Sequence, residues 1–197
     1  WWVAPDGSAA FAVVADGVGG QPGGDQASAL AVDAAMAAMA SRGQAADPAA
    51  ELERAFAAAD AALHSGRSAS AELATMATTL IAAVADTATV ALAHVGDSRA
   101  YRLAGGALEQ LTRDHTVAQQ MVDDGVLKPE QRDRVPFANV LARAMDGGGR
   151  VPEVSRLEWA PGERVVLCSD GLNAALTGEG IMAALEAADP AIAVERL

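Results

Sequence analysis

The sequence predicts an α+β protein built mostly on antiparallel sheet. Three observations carry that expectation. Strand-like apolar runs come in clusters, helix-period segments come in pairs, and the alternation of strand with helix that builds a doubly wound parallel sheet is missing. With 197 residues, 51% of them hydrophobic, the chain has the length of a single domain. A chain of that size can bury a full core without disulfides or a structural metal. Periodicity leaves open whether the strands form one sheet or two.

The opening reads as a hairpin, with an apolar stub at Trp1–Val3, a Pro5-Asp6-Gly7 turn and a strand over Ala10–Ala15 that runs into Asp16. After a Gly-rich bend, Ala29, Val32, Met36 and Met39 recur at helical spacing, and Arg42-Gly43 closes that helix. A second helix follows. Asp47 is its N-cap, Pro48 its first position, and Leu52, Phe56, Ala59 and Leu63 its inner stripe; the polar run Ser65–Ser70 reads as loop. From Thr79 the period changes. Thr79–Ala85 and Thr87–Val95 are apolar, partly β-branched runs of strand length broken only by Asp86, and they predict neighbouring buried strands. Ala100–Leu103 and Ala107–Leu111 flank Gly105-Gly106 as a hairpin. Thr116 and Gln119 have the spacing of a capping box for a short helix, which Gly125 ends. Asp124–Pro136 is a charged surface excursion. Strands at Val154–Trp159 and Arg164–Cys168 are joined through Pro161-Gly162, and helices begin near Thr177 and Pro190.

Composition excludes several classes of function. The chain has 14 Lys and Arg against 26 Asp and Glu, a net charge of −12, and only 4% aromatic residues. Phosphate neutralisation needs a basic patch and single-strand binding needs stacking rings, so nucleic acid is not an expected partner. The lone cysteine, Cys168, permits neither an internal disulfide nor a Cys-based zinc site. No run approaches the roughly 20 apolar residues of a spanning helix. Without a visible leader sequence, the expected location is cytoplasmic.

Three acidic residues share one local grammar: Val13-Val14-Ala15-Asp16-Gly17, His94-Val95-Gly96-Asp97-Ser98 and Leu167-Cys168-Ser169-Asp170-Gly171. Each lies where a buried strand runs out. A carboxylate there is held by a rigid element yet faces a crevice. Asp-Gly is also a common turn, so the reading rests on the threefold occurrence and not on any one case. Three such ends at one sheet edge would make an all-oxygen site suited to Mg²⁺ or Mn²⁺. Ser169 lies outside any G-x-S-x-G elbow, which argues against acyl transfer. The stretch Gly17–Gly24 lacks both the dinucleotide pattern and a Lys-Ser/Thr, so its glycines read as a sharp bend. Among the histidines, His94 reads as a core residue and His64 as a solvated helix end. His115 follows Asp114 and is a candidate for supporting the site.

Five ordered blocks then carry a resemblance: Asp16-Gly17-Val18-Gly19-Gly20, Met76-Ala77-Thr78-Thr79-Leu80, Val95-Gly96-Asp97-Ser98-Arg99-Ala100-Tyr101, Leu111-Thr112-Arg113-Asp114-His115 and Cys168-Ser169-Asp170-Gly171-Leu172. Together, and with Asn139–Ala144 between the last two, they resemble the metal-dependent protein phosphatase 2C family in its compact bacterial form. The resemblance implies a four-layer αββα sandwich, two antiparallel sheets flanked by helix pairs, with a metal centre at one end. It implies that Asp16 bridges two ions, Mn²⁺ or Mg²⁺, that the Gly17 carbonyl binds the first and Asp170 the second, and that Asp97 serves a third. Asp114 and His115 would stand behind them. The implied activity is hydrolysis of phosphoserine and phosphothreonine in proteins by water activated between the metals, with a Ser/Thr kinase or its targets as partner. A non-catalytic, partner-binding domain on the same scaffold is the alternative.

Some family members place a general-acid histidine where this chain has Val18. Val117–Pro136 matches the family's flap beside the active site. The family's upstream Arg with its acidic pair, and its closing Asp-Asn strand, have no counterpart here. The resemblance thus implies one catalytic domain over residues 1–197 that lacks its N-terminal strand and its C-terminal Asp-Asn strand, with low turnover expected of this segment alone.

Overall fold

The computed structural model describes residues 1–4, 7–19, 23–41 and 47–197. Along the chain run β1 (Trp2–Val3), β2 (Ala9–Val14), α1 (Gly24–Ala40), α2 (Pro48–Ala69), β3 (Leu80–Asp86), β4 (Thr89–Val95), β5 (Arg99–Ala104), β6 (Ala107–Gln110), α3 (Val117–Asp123), β7 (Glu153–Glu158), β8 (Arg164–Cys168), α4 (Asp170–Ala175), α5 (Gly178–Leu185) and α6 (Pro190–Arg196). The strands form two antiparallel sheets, one ordered β1-β2-β3-β4-β7 and the other β6-β5-β8.

Period-2 alternation assigns each strand's faces to two cores. In β3, Leu80, Ala82 and Val84 face the helix pair α1 and α2, while Ile81, Ala83 and Ala85 face the other sheet. In β4, Ala91, Ala93 and Val95 take the helix side, and Val90 and Leu92 the sheet side. Both faces are covered, which is why these runs read as continuously apolar. On the smaller sheet, Val165 and Leu167 look inward, whereas Tyr101, Leu103 and Cys168 pack on Ile181 and Leu185 of α5 and Ala193 of α6. Three apolar layers therefore separate four structural layers, helix pair, sheet, sheet and helix pair. This is the expected αββα sandwich.

Turn chemistry agrees with the sequence at several points. Asp86 accepts from the backbone N–H groups of Ala88 and Thr89, both at 2.7 Å, and closes the β3–β4 turn. Gly105 and Gly106 adopt φ of 56° and 78°, as a primed hairpin turn requires. Asp47 caps α2 by accepting from Ala50 N–H at 3.2 Å. Pro5-Asp6 and Arg42-Gly43 fall outside the described residues.

Three expectations need correction. The buried face of α1 is Ala27, Ala31, Ala35 and Met39, while Ala29 is exposed and Val32 and Met36 are half-buried. In a helix so rich in alanine, the larger side chains sit at the margin and the smallest ones form the close contact with α2. Ser65–Ala69 is helix and not loop. The Ser65 and Ser68 hydroxyls donate back to the Ala61 and His64 carbonyls, and Arg67 Nε donates to Ala74 O at 2.7 Å. Thr116 caps α3 through Gln119 N–H, but the Gln119 amide turns to Asp123 Oδ1 at 2.8 Å, so the box is only half formed. The expected connection through Pro161-Gly162 joins β7 to β8 and carries the chain from one sheet to the other.

Leu63→Ala, in the fully buried stripe of α2, is expected to cost about 2–5 kcal/mol. Ala29→Ser on the exposed face of α1 should stay within about 0.5 kcal/mol. Urea unfolding at equilibrium measures both, and a larger loss at Ala29 than at Leu63 would overturn the helix packing described.

Candidate metal centre

Antiparallel pairing decides which strand ends share an edge. Val14 of β2 stands opposite Ile81, and Leu80 of β3 stands opposite Val95, so β2 and β4 run the same way and end together. The three residues Gly96, Asp97 and Ser98 then carry the chain from the end of β4 into β5 of the second sheet, where Arg99 pairs with Cys168, the last residue of β8. All three strand ends therefore meet at one edge. Asp16, Asp97 and Asp170 each lie two residues beyond the strand that precedes them. Asp170 is also the first residue of α4, a helix that the sequence pattern did not reveal.

The carboxylates line one cavity of about 570 Å³ together with Gly17, Val18, Gly19, Thr79, Asn139, Val140 and Leu141. An adjoining space of about 240 Å³, shared through Asp97, Asn139 and Asp170, adds Arg99, Asp133, Asn173 and Ala174. Asp16 has a raised pKa, first through burial and then through the hydrogen bond and the charge of Asp170. Asp97 is pushed up to about 6, by burial and by the charge of Asp170. The Asp170 charge thus acts on both neighbouring carboxylates, and an all-oxygen donor set fits hard divalent cations. The backbone approach also fits. A Cβ on Gly17 would lie 2.1 Å from Gly24 O, so only glycine lets the chain turn here.

The block Thr78-Thr79 fixes Asp16. Thr79 N–H donates to Asp16 O at 2.8 Å, Asp16 N–H donates to Thr79 Oγ1 at 3.0 Å, and Thr78 Oγ1 donates to Asp16 O at 2.8 Å. Thr79 Oγ1 lies 2.7 Å from Ser98 Oγ, which joins the Asp16 segment to the Asp97 segment. Gly96 is required here as well, with φ of 112° and a Cβ position 2.6 Å from Thr79 Cγ2.

Asp114 and His115 stand behind the cavity, not in its wall. Asp114 accepts three hydrogen bonds from Arg99, from Nε at 2.9 and 3.1 Å and from Nη2 at 2.5 Å. Arg99 Nη1 donates to Tyr101 Oη at 3.1 Å, and Tyr101 Oη donates to Asn173 Oδ1 at 2.6 Å on α4, so the network reaches the helix that begins with Asp170. His115 brackets Gly96: its N–H donates to Gly96 O at 3.0 Å, and its Nδ1 accepts from Gly96 N–H at 3.1 Å. Burial and the stacked His94 ring hold the His115 pKa down. Ligand atoms of His94, His115 and Glu153 lie within 4.8 Å of one another. Each histidine ring is instead engaged in hydrogen bonds of its own. With Nδ1 accepting, neutral His115 carries its proton on Nε2, which faces Glu153 at 3.3 Å, and His94 Nε2 donates to Arg113 O at 2.9 Å.

The expected flap holds α3 and a 3-10 turn over Pro129–Arg134. Arg132 Nη1 donates to Gln119 Oε1 at 3.0 Å and lies 4.0 Å from Asp114, which ties the excursion to the network behind the site. Sequence reasoning missed the roles of Thr79, Asn139 and Asn173. The first two lie in quoted blocks, but nothing in their spacing says that they reach this cavity.

The profile of the family described as Protein phosphatase 2C matches residues 1–190. The chain is 35% identical over 184 residues to the serine/threonine protein phosphatase PstP of Mycobacterium tuberculosis, a stretch that is 93% of this chain and 36% of that protein. It is 36% identical over 99 residues to the serine/threonine phosphatase stp of Listeria monocytogenes, which is 50% of this chain and 39% of that protein. The chain thus spans little more than a third of the length of these curated relatives. A crystal structure of the M. tuberculosis PstP superposes with a TM-score of 0.87 at 34% identity, covering 94% of this chain and 79% of that one. The PstP catalytic domain in complex with two manganese ions gives a TM-score of 0.83 at 33% identity, covering 94% and 78%. Among the described residues, no helix is long and apolar enough to cross a membrane.

Asp16→Ala should remove the rise in thermal midpoint that Mn²⁺ gives the wild-type protein, read by calorimetry. In chelator the variant should be at least as stable as wild type at neutral pH. The raised Asp16 pKa has a definite sign: ionising this group costs stability, and the loss sets in as pH rises through that pKa. An undiminished Mn²⁺ shift in Asp16→Ala would remove this residue from the site.

Proposed function

Because this chain belongs to the protein phosphatase 2C family, we propose that it is the catalytic core of a phosphoprotein phosphatase dependent on Mn²⁺ or Mg²⁺ and acting on phosphoserine and phosphothreonine. The observation that carries the proposal is the convergence of Asp16, Asp97 and Asp170 on one cavity at a shared strand edge. Two cations held there lower the pKa of water and neutralise phosphoryl charge. In the reaction the oxygen of water bonds to phosphorus, the P–O bond to the serine or threonine breaks, and the leaving alkoxide takes up a proton.

The chain's own groups prepare that exchange. Asp16 and Asp170 hold the two cations, with the Gly17 carbonyl beside Asp16, and Asp97 serves a third. The Thr78 and Thr79 hydrogen bonds keep the Asp16 backbone still, so the carboxylate is placed before substrate arrives. The Arg99–Asp114 pair and the Tyr101–Asn173 bond anchor α4 and with it Asp170. His115 fixes Gly96 and so aims Asp97. Val18 has no proton to give, so protonation of the leaving group falls to water. The cavity takes a phosphorylated side chain on an exposed segment, and the excursion over 117–136 meets the polypeptide around it. A phosphorylated cytoplasmic protein, either a Ser/Thr kinase or its target, is the partner this chemistry implies.

Hydrolysis of para-nitrophenyl phosphate by the full-length protein should saturate with Mn²⁺, and Asp170→Ala should lose more than about 100-fold, beyond what loss of a supporting partner costs. A folded full-length protein without turnover but with phosphoprotein binding would select the non-catalytic alternative. His115→Ala should raise the Mn²⁺ concentration needed for half-activation about tenfold and leave folding intact, as changes behind metal ligands do. An unchanged Mn²⁺ requirement would reduce His115 to a packing residue.

A further inference from the structure

The carboxylate edge accounts for one part of the cavity of about 570 Å³; the rest of its lining is the bend Gly17–Gly19 and the segment 139–141 at the end of the charged excursion. Val18, Val140 and Leu141 bring no polar side chain, so Asn139 is the single side-chain hydrogen-bonding group in that part. It also lines the adjoining space, a position it shares only with Asp97 and Asp170. Asn139 is exposed, and among the described residues no hydrogen bond engages its amide. The hydroxyl in the same cavity is committed within the protein: Thr79 Oγ1 accepts from Asp16 N–H at 3.0 Å and lies 2.7 Å from Ser98 Oγ.

The backbone around Asn139 is fixed although its side chain is free. Val140 N–H donates to Phe137 O at 3.1 Å and closes a turn that holds Asn139. Just beyond it, Val117 N–H donates to Val140 O at 2.8 Å, Leu141 bridges Thr116, and Ala142 N–H donates to His115 O at 2.8 Å. The segment is thereby stitched to His115, the residue that brackets Gly96. An uncommitted amide on a held backbone is a donor in place before charge develops.

We propose that Asn139 is a catalytic residue that donates from Nδ2 to the leaving oxygen of the phosphoester. The inference rests on the phosphatase reading above. In-line displacement puts the attacking and leaving oxygens on opposite sides of phosphorus. Water activated at the carboxylate edge therefore turns the leaving oxygen toward the part of the lining that holds Asn139. As the P–O bond breaks, its electron pair passes to that oxygen. Asn139 hydrogen-bonds the oxygen and keeps its own proton, and water supplies the proton that completes the alcohol. The donor stands where Val18 has none to give.

The test measures kcat of the full-length protein, saturated with Mn²⁺, on two small substrates that differ in the leaving oxygen. Para-nitrophenyl phosphate releases a stable phenolate, and benzyl phosphate a basic alkoxide. Asn139→Leu matches the side chain's shape without its donor, and Asn139→Ala removes the group outright. Both variants should lower kcat for benzyl phosphate about 100-fold, as loss of one oxyanion donor does, with a loss on para-nitrophenyl phosphate at least about tenfold smaller. KM, the Mn²⁺ concentration for half-activation and the thermal midpoint should stay at their wild-type values. Equal losses on the two substrates, a change confined to KM, a raised Mn²⁺ requirement, or undiminished kcat on benzyl phosphate would each overturn the proposal. Wild-type protein that hydrolyses neither substrate would remove the phosphatase reading itself, whereas turnover that the variants share in full would remove only this role of Asn139.

Discussion

The ladder that sets Val14 opposite Ile81 and Leu80 opposite Val95 is the constraint on which the site depends. It brings the ends of β2 and β4 to one edge, and the short crossing through Asp97 places the end of β8 beside them. The register cannot slip. Both faces of β3 and β4 are buried, so a shift by one residue would exchange the residues facing the helices with those facing the second sheet and misfit two cores at once. A rigid, doubly covered sheet is what allows three carboxylates to be held close against their mutual repulsion.

That repulsion has a structural counterpart. Asp16 and Asp97 are held at raised pKa by burial and by Asp170, and the energy for this comes from the cores beneath and from polar ties around the edge. Thr78 and Thr79 clamp the backbone of Asp16, His115 brackets Gly96, and the chain from Asp114 through Arg99 and Tyr101 to Asn173 reaches α4. Each tie holds backbone or helix and leaves the carboxylates free to face the cavity. A site of this kind is destabilised when empty and relieved by cations, and this agrees with the two manganese ions in the related PstP catalytic domain.

Alanine shapes the helical layers. Ala27, Ala31, Ala35, Ala55 and Ala59 are fully buried, and their small size lets α1 and α2 pack closely on each other and on the sheet. The same composition misled the reading of α1, where the larger Val32 and Met36 suggested an inner stripe that lies at the edge of the contact. In α2 the bulky Leu52, Phe56 and Leu63 left no such ambiguity. The continuation of α2 through Ser65–Ala69 depended on Arg67 reaching Ala74 and Asp146, contacts made by distant or irregular chain.

By itself the sequence determined the kinds and order of most elements, the carboxylates at Asp16, Asp97 and Asp170, and the family that its blocks resemble. Strand period, cap chemistry and turn glycines act within a few residues, so a local pattern states them. Tertiary structure alone decided which strands pair in each sheet, that β7 and β8 part company, which face of α1 is buried, and how Asp114 reaches Asn173 of α4 through Arg99 and Tyr101. It also decided the bond that Asp60 accepts from Gly149 N–H, 89 residues away. Such contacts join segments distant in sequence, and they are fixed by which surfaces must be buried together, a condition that no local pattern contains.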